Sequence, residues 1–494
     1  MFCMNQVAFI ALALAGVLGG ARAGFAGEAN LDVDFTAAAR PIRRELHSSG
    51  LGGQLTGAYS DRTDVLKPLR LWASRTHDWA LGNPGQRICD WQNVFPLDHA
   101  DANDARNYFF GPTDEILAMT IEKLGLRVSY RMGTSIESVN ARRHAQTRPE
   151  YWNSREPADW EKFADVHRHI IAHYTKGWAD GRRWGDWIPY WELWNEADST
   201  PGGSWLNADG TMDQSENEAR FAKFFVFVLK KLKTCYPELK FGGPAACRYD
   251  EPFLRRVLDE CRQQDYVPDF LSWHSYSDDP DEMLAEPAKA RALLDEYGFA
   301  KTKTFINEWH YIPGGWKGFW GRHGRGLESA RASQDPVWGT GGIASGVYTL
   351  QVICSLQTTV LDQSYYYGCF HYGEFDYAIR RLDGSLNKEY YALKTFGMVL
   401  ADCDTFHPTA QKGQARTFAA TSRDGKRRYL VLTDRGGKRA VNIRVKGVAE
   451  GNVWTRVLDA THDLGEIEAR VKDGVLRIEK SDDAPAAYLM VFED

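Results

Sequence analysis

The segment Ile188-Pro-Tyr-Trp-Glu-Leu-Trp-Asn-Glu196 is a short apolar and aromatic run that ends in Asn-Glu. The polar, turn-forming segment Ala197-Asp-Ser-Thr-Pro-Gly-Gly203 follows it directly. This pattern is typical of a buried strand that stops at a polar surface. A second run, Thr302-Lys-Thr-Phe-Ile-Asn-Glu308, also ends in Asn-Glu and lies shortly before a Pro-Gly-Gly turn. The sequence therefore predicts two strands that each present a glutamate at one end.

From about residue 50 to residue 367, β-like runs alternate with longer amphipathic segments. This is the pattern of parallel strands joined by crossover helices, and eight such units predict an α/β fold of the (β/α)8 barrel class. A doubly wound open sheet is the alternative, but it explains less well why polar residues end so many separate strands. The expected strands are Leu46–Gly53, Leu69–Ser74, Arg127–Gly133, Pro189–Asn195, Lys240–Pro244, Phe270–His274, Thr304–Glu308 and Leu361–Tyr367.

The sequence pattern changes beyond Asp404, where segments with helical periodicity are followed by short segments with the alternating pattern of strands. Asp-Gly and Gly-Gly turns punctuate these strands at residues 424, 436 and 473. Such spacing predicts a β-sandwich over residues 405–494, which an N-terminal strand near Leu31–Phe35 would complete. The barrel is then expected over residues 24–404.

Residues 1–23 are expected to be a cleavable signal peptide. Val7–Gly19 is an apolar run too short to span a bilayer, and Ala21-Arg-Ala23 has the small residues of a cleavage site. A retained N-terminal anchor is the alternative. We therefore expect a secreted or periplasmic protein that leaves the membrane once the signal is removed. Seven of the eight cysteines would remain, and their scattered spacing predicts neither a disulfide framework nor a zinc site, although a Cys247–Cys261 bond is one option.

The composition favours a carbohydrate partner over a nucleic acid or a membrane. A net charge of −6 gives no electrostatic case for a polyanion or an anionic lipid surface. Aromatic residues make up 13% of the chain, and tryptophans beside glycines fit a cleft in which flat rings stack on sugar faces. The loop Gly314–Gly341, with Trp316, Phe319, Trp320 and Trp338, is either a lid over substrate or a partly buried surface loop. The oligomeric state stays open.

Two glutamates at strand ends match the chemistry of glycosidic bond cleavage, which uses a pair of carboxyl groups. In a barrel the loop-bearing strand ends share one face, so glutamates on the fourth and seventh strands can meet across the mouth. We expect Glu196 to be the acid/base and Glu308 the nucleophile. If the groups lie roughly 5 Å apart, double displacement with retention of configuration is predicted. This chemistry requires neither a metal nor an organic cofactor.

With these residues assigned, the chain resembles glycoside hydrolase family 39, the β-xylosidase and α-L-iduronidase type within retaining clan A. The resemblance rests on Trp194-Asn-Glu196 on strand four, Glu308 on strand seven and the barrel order. It implies that Asn195 holds the sugar 2-hydroxyl and that Tyr276 hydrogen-bonds the nucleophile. The segment Arg70–Asp78 is similar to the family's arginine, histidine and acidic residue after strand two, with Trp72 where the family tends to have histidine. The substrate-binding residues implied are Asn195, Arg70, Trp72, His77, Asp78, Arg131, His274 and Tyr276.

The expected function is hydrolysis of plant-type oligosaccharides with retention of configuration, and a β-xyloside is the first substrate expected. One alternative keeps the chemistry and changes the substrate to an arabinoside, a galactoside or an internal glycan bond. A non-catalytic carbohydrate-binding barrel is the alternative from another class. The intact pair of glutamates argues against it, because a binding protein has no need of both.

Overall fold

The computed structural model describes residues 28–51, 62–77, 89–97, 99–133, 156–198, 205, 211, 213–315, 318–319, 332–369, 378–379 and 384–493. The expected signal peptide, Asp78, Trp316 and Trp320 lie outside the described residues. In the described ranges, no helix has both the length and the apolar character needed to cross a bilayer.

Two strands, β1 (Ala29–Asp34) and β2 (Arg40–Pro41), precede the barrel and belong to the C-terminal sheet. Eight parallel strands then form a nearly closed barrel in which neighbours follow chain order. At the seam, the Trp72 backbone N–H donates to the His47 carbonyl at 2.9 Å. The barrel strands are β3 (Ser48–Gly50), β4 (Ala73–Arg75), β5 (Arg127–Met132), β6 (Tyr190–Leu193), β7 (Lys240–Ala246), β8 (Phe270–Ser277), β9 (Lys303–Tyr311) and β10 (Gln363–Tyr367).

Several helices between the strands begin at capping aspartates. The side chains of Asp159, Asp213 and Asp250 each accept a backbone N–H from the first turn, which satisfies a donor that the helix leaves open. The main helices are Gly111–Ala118, Trp160–Thr175, Gln214–Cys235, Glu251–Gln263, Pro280–Glu296, Ile343–Leu356 and Lys388–Asp402. Short helical turns are Arg44–Leu46, Thr63–Leu66, Lys67–Leu69, Trp91–Val94, Ala105–Asn107, Met119–Lys123 and Trp178–Asp180.

The C-terminal strands are β11 (Cys403–His407), β12 (Ala415–Ser422), β13 (Arg427–Asp434), β14 (Ala440–Lys446), β15 (Gly451–Leu458), β16 (Asp463–Lys472), β17 (Val475–Glu479) and β18 (Ala486–Glu493). They join β1 and β2 in a ten-stranded sheet that curls into the sandwich, in the order β1-β14-β17-β16-β15-β18-β13-β12-β11-β2. Strand β13 is apolar on both faces. Leu430 and Leu432 lie in the core of the sandwich, while Tyr429 and Val431 pack against the barrel. The predicted fold class, a (β/α)8 barrel with a C-terminal β-sandwich, is confirmed.

The cysteines are not paired. The seven from Cys89 onward are all free thiols, so the option of a Cys247–Cys261 bond is wrong. Cys261 is buried within the helix Glu251–Gln263, and the Cys247 thiol instead donates a hydrogen bond to Asp198. Packing rather than cross-linking therefore holds this part of the barrel together.

Candidate active site

A β-bulge in the middle of β9 turns two successive side chains into the barrel. Consecutive strand residues normally face opposite sides. Here Trp273 pairs with Ile306 and His274 pairs with Glu308, so Asn307 is an extra residue in the ladder. Asn307 Nδ2 donates to Glu192 at 2.7 Å inside the barrel, and Glu308 also faces inward. The bulge thus lets the Asn-Glu pair serve the same interior.

The end of β6 is bent by residues with left-handed backbones. Trp194 has φ 73° and Glu196 has φ 53°, conformations that non-glycine residues rarely adopt. Gly133 makes room for this turn: a Cβ there would lie 2.7 Å from Trp194 Cε3, and its own φ is +102°. The Glu196 backbone N–H donates to the Ala245 carbonyl at 2.8 Å, which ties the turn to β7. Because of this bend, Asn195 and Glu196 both face the barrel mouth.

Arg75 links three of the strands at the centre of the site. Its Nε donates to Glu192 at 2.5 Å, its Nη1 to Glu308 at 2.6 Å and its Nη2 to the Asn195 side-chain oxygen at 2.9 Å. The residue is 1% exposed. Burial alone would lower the pKa of Arg75, but Glu192 and Glu308 outweigh this and raise the pKa above its ordinary value. One buried cation therefore faces two buried carboxylates, so the cluster is short of positive charge.

Glu308 is held on both oxygens. Besides Arg75, its Oε1 lies 3.4 Å from His77 Nε2. Its Oε2 accepts a hydrogen bond from the Tyr276 hydroxyl at 2.7 Å and lies 3.3 Å from His274 Nδ1. The Glu308 side chain is 5% exposed. These contacts fix the carboxylate in one orientation and favour its ionised form.

His274 stands between the two glutamates. Its Nδ1 lies 2.9 Å from Glu196 Oε1, and the three groups offer atoms that all lie within 4.8 Å of one another. Burial lowers the pKa of His274; Glu308 acts against this and Arg75 adds to it. The neutral form of the ring is therefore favoured. The Glu196 side chain is 18% exposed, so it is the carboxyl group more open to the mouth.

Glu196, His274 and Glu308 also have the spacing of metal ligands. A cation there would compete with Arg75 for Glu308. The Arg75 guanidinium already lies 2.6 Å from Glu308 Oε1, and a metal bound to Glu308 would face that positive charge. The arrangement is better suited to moving protons between carboxyl groups.

Asp198 and Cys247 extend the site beyond Glu196. Asp198 Oδ1 accepts the Cys247 backbone N–H at 2.9 Å, and its Oδ2 accepts the thiol at 3.2 Å. Burial raises the pKa of Asp198 to about 6; the Cys247 donors oppose the shift and the charge of Glu196 adds to it. Sequence reasoning missed both residues, because Asp198 lies in what reads as an ordinary turn.

Two residues of the predicted site are misplaced. Arg70 is exposed and ends the short helical turn Lys67–Leu69, while Trp72 stacks with Arg127 at the N-terminal end of the barrel. Neither reaches the mouth, and Arg75 holds the position that the sequence pattern assigns to Arg70. His77 then stands two residues after this arginine, so the inferred loss of a family histidine at Trp72 is also wrong.

The remaining predicted residues divide between the site and its surroundings. Asn195, His77, His274 and Tyr276 join Glu196 and Glu308 at the mouth. Arg131 is 1% exposed and donates to Asp90 at 2.5 Å, so its charge is matched within the protein. Glu192 was missed, although a carboxylate inside the apolar run Tyr190–Leu193 was a usable signal, because a buried charge requires a partner.

Sequence comparisons relate part of the chain to the glycosyl hydrolases of family 39. The sequence model of the glycosyl hydrolases of family 39 matches residues 92–306, a segment that includes Glu196 and ends just before Glu308. A β-xylosidase from Geobacillus stearothermophilus is 24% identical over 187 residues, which is 33% of this chain. That match spans about a third (34%) of the length of the relative.

Solved structures extend the likeness to nearly the whole chain. A glucosidase from Croceicoccus marinus has a TM-score of 0.69 at 18% identity, covering 94% of this chain and 99% of that one. A GH39 enzyme from Xanthomonas axonopodis pv. citri has a TM-score of 0.64 at 16% identity, covering 97% and 99%. A GH51 α-L-arabinofuranosidase from Thermotoga petrophila has a TM-score of 0.59 at 14% identity, covering 94% and 100%. At these identities the structures establish the fold, and with the sequence matches they show that the chain resembles the glycosyl hydrolases of family 39.

Proposed function

We propose that the protein is a retaining glycoside hydrolase in which Glu308 is the nucleophile and Glu196 the general acid/base. The observation that carries this proposal is the closeness of the two carboxyl groups, whose oxygens lie within 4.8 Å together with His274 Nδ1. Retaining enzymes place their carboxyl groups about 5–5.5 Å apart, whereas inverting enzymes leave about 6.5–9.5 Å for a water molecule. The spacing favours direct attack on the sugar.

The two glutamates divide the reaction into two displacements. In the first, Glu308 attacks the anomeric carbon while Glu196 gives its proton to the departing glycosidic oxygen, and a covalent glycosyl-enzyme forms. In the second, Glu196 takes a proton from water as that water attacks the anomeric carbon and releases Glu308. Both glutamates return to their starting states, and the configuration is retained.

The environments of the two carboxyl groups fit these different roles. Glu308 accepts hydrogen bonds from the charged Arg75 and from the neutral Tyr276 hydroxyl, and both favour the carboxylate form that is needed for attack. Glu196 faces the neutral His274 and lies near ionised Glu308, and like charge favours its protonated form. Once Glu308 is esterified that repulsion ends, so Glu196 can ionise and act as a base.

A β-xyloside is the first substrate we propose, on the strength of the β-xylosidase relative. The glucosidase and arabinofuranosidase neighbours supply the competing sugars to test. A panel of nitrophenyl β-xyloside, β-glucoside, β-galactoside and α-L-arabinofuranoside, with xylan as an internal substrate, separates these options. Highest kcat/KM on the xyloside supports the proposal, and highest kcat/KM on another sugar reassigns the substrate while keeping the chemistry.

The roles of the glutamates are tested by a matched pair of variants. Glu308→Gly should lower turnover of an activated aryl glycoside by at least about a thousandfold, because the attacking carboxylate is lost. Added azide should restore turnover and give a glycosyl azide of inverted configuration. Glu196→Gly should give the azide of retained configuration with the same substrate, since its nucleophile is intact. Wild-type turnover by Glu308→Gly, or the same azide from both variants, would contradict the assignment.

A further inference from the structure

Asp198 and Cys247 lie beside the proposed acid/base and take no part in the two displacements. Asp198 is two residues after Glu196 on the same bent segment, and Cys247 directly follows β7. The segment is tied to β7 twice: through the Glu196 backbone N–H to Ala245 and through the Asp198 carboxylate to Cys247. The segment is therefore anchored at the Glu196 backbone N–H and, two residues further on, at the Asp198 side chain.

Asp198 is a buried and hydrogen-bonded carboxylate rather than a surface one. The side chain is 6% exposed, and both of its oxygens accept hydrogen bonds from Cys247. A buried carboxylate is costly unless donors match it, and among the described residues the hydrogen-bond donors to the Asp198 carboxylate are the neutral N–H and thiol of Cys247. Its negative charge is thus left to act on its neighbours.

Building on the function proposed above, we propose that Asp198, held by Cys247, is a positioning residue that fixes the backbone of Glu196 and favours the protonated form of its carboxyl group. It acts through Glu196 and does not touch the reacting atoms. The chemical reason is like charge: an ionised Asp198 makes ionisation of Glu196 less favourable, and so keeps a proton available for the leaving group.

The charged and titratable groups around Asp198 come from three elements. Glu196 is on its own segment, Cys247 and Arg248 follow β7, and His274 is on β8. Near neutral pH His274 is neutral and the Cys247 thiol is protonated, since burial raises its pKa above the ordinary value. Because burial raises the pKa of Asp198 only to about 6, this group is ionised above that pH. Its effect on Glu196 is therefore present at neutral pH and fades below about pH 6.

The direct test is the titration of Glu196 in Asp198→Asn, which keeps the shape of the side chain and removes its charge. Carbon-13 NMR of labelled glutamate carboxyl groups, with the Glu196 signal assigned from Glu196→Gln, should show the pKa of Glu196 lower by about one unit than in the wild type. This readout does not depend on turnover. Asp159→Asn is the control, because asparagine still caps a helix there and the Glu196 titration should not change.

Kinetics supply the second readout. Phenyl β-xyloside has a poor leaving group that needs the acid, whereas dinitrophenyl β-xyloside does not. For Asp198→Asn, the alkaline limb of kcat/KM on the phenyl substrate should move to lower pH, with about a tenfold loss on that limb, while the dinitrophenyl substrate loses less than about twofold.

Equal losses on both substrates, or an unchanged Glu196 titration, would overturn the inference and leave Asp198 a purely structural group. If the wild type cleaves no glycoside in the panel, the proposed function fails. The NMR titration then still decides whether Asp198 controls the protonation of Glu196.

Discussion

The two ends of the barrel each hold an arginine, and the difference between them lies in what surrounds the guanidinium. At the C-terminal end, Arg75 is buried and faces Glu192 and Glu308. At the N-terminal end, Arg127 is exposed and lies over the rings of Trp72 at 5.1 Å and Trp187 at 5.9 Å. Water screens the second charge, whereas the first must be balanced by the protein itself. What separates these two arginines is burial against the carboxylates Glu192 and Glu308, since the residue type is the same.

The largest effect is expected for Arg75→Met. Removing the cation leaves Glu192 and Glu308 buried together without their partner, so we expect the free energy of unfolding to fall by about 3–5 kcal/mol. Turnover should fall to the background, since the nucleophile loses the donor that orients it. Urea denaturation and aryl glycoside hydrolysis measure the two effects.

Arg75→Lys keeps the charge but not the fork of three donors. It should recover part of the stability and little of the turnover. Full turnover in either variant would show that the cluster is a structural ion pair and not part of the site.

A smaller effect is expected at Gly133, which supports the bend of β6. In Gly133→Ala, the new Cβ would meet the Trp194 ring at 2.7 Å in a left-handed backbone. We expect a loss of about 2 kcal/mol in the free energy of unfolding and a reduced kcat, because the segment carrying Glu196 must shift. Gly111→Ala is the matched control, since its Cβ would have no atom within 4 Å. Equal unfolding midpoints in urea for the two variants would contradict this account.

The smallest effect is expected at the opposite end. Arg127→Met removes the stacked cation from Trp72 and Trp187, which should cost only about 0.5–1 kcal/mol of unfolding free energy. Because this end is remote from the mouth, kcat/KM should change less than about twofold on any glycoside of the panel. A large loss of activity would show that the two ends of the barrel are coupled, so that the N-terminal end would have a role in catalysis as well as in stability.

The pair Arg70 and Arg75 shows where sequence reasoning stops. The barrel, the sandwich and the two glutamates on the fourth and seventh barrel strands follow from periodicity and turn residues, but β9 continues past Glu308 to Tyr311 and so does not end at this glutamate. The strand expected at Leu69–Ser74 is in fact Ala73–Arg75, because the turn Lys67–Leu69 is helical and ends at a left-handed Arg70. A shift of a few residues was enough to select the wrong arginine, since strand limits decide which side chains reach the mouth.

Other parts of the site depend on backbone details that periodicity does not report. The bulge at Asn307 breaks the alternation of side chains, so a strict two-residue period would have turned one of Asn307 and Glu308 away from the interior. The start of the helix Pro280–Glu296 is also set locally, because the Asp279 side chain accepts the Asp281 backbone N–H and caps the helix there. In both cases local backbone hydrogen bonding sets the structure, and the periodicity of the sequence does not predict it.

The position of Arg75 also has a consequence for how the chain reaches its native state. Its two carboxylate partners lie 117 and 233 residues further along the chain, on the fourth and seventh barrel strands. Such distant partners meet only after long loops have closed, which is among the slowest parts of folding. Until the seventh strand docks, Arg75 and its two carboxylate partners are more stable as separate, hydrated groups than as an ion-paired cluster. We therefore expect the reactive centre to form among the last events of folding, so that an incompletely folded chain carries no working site.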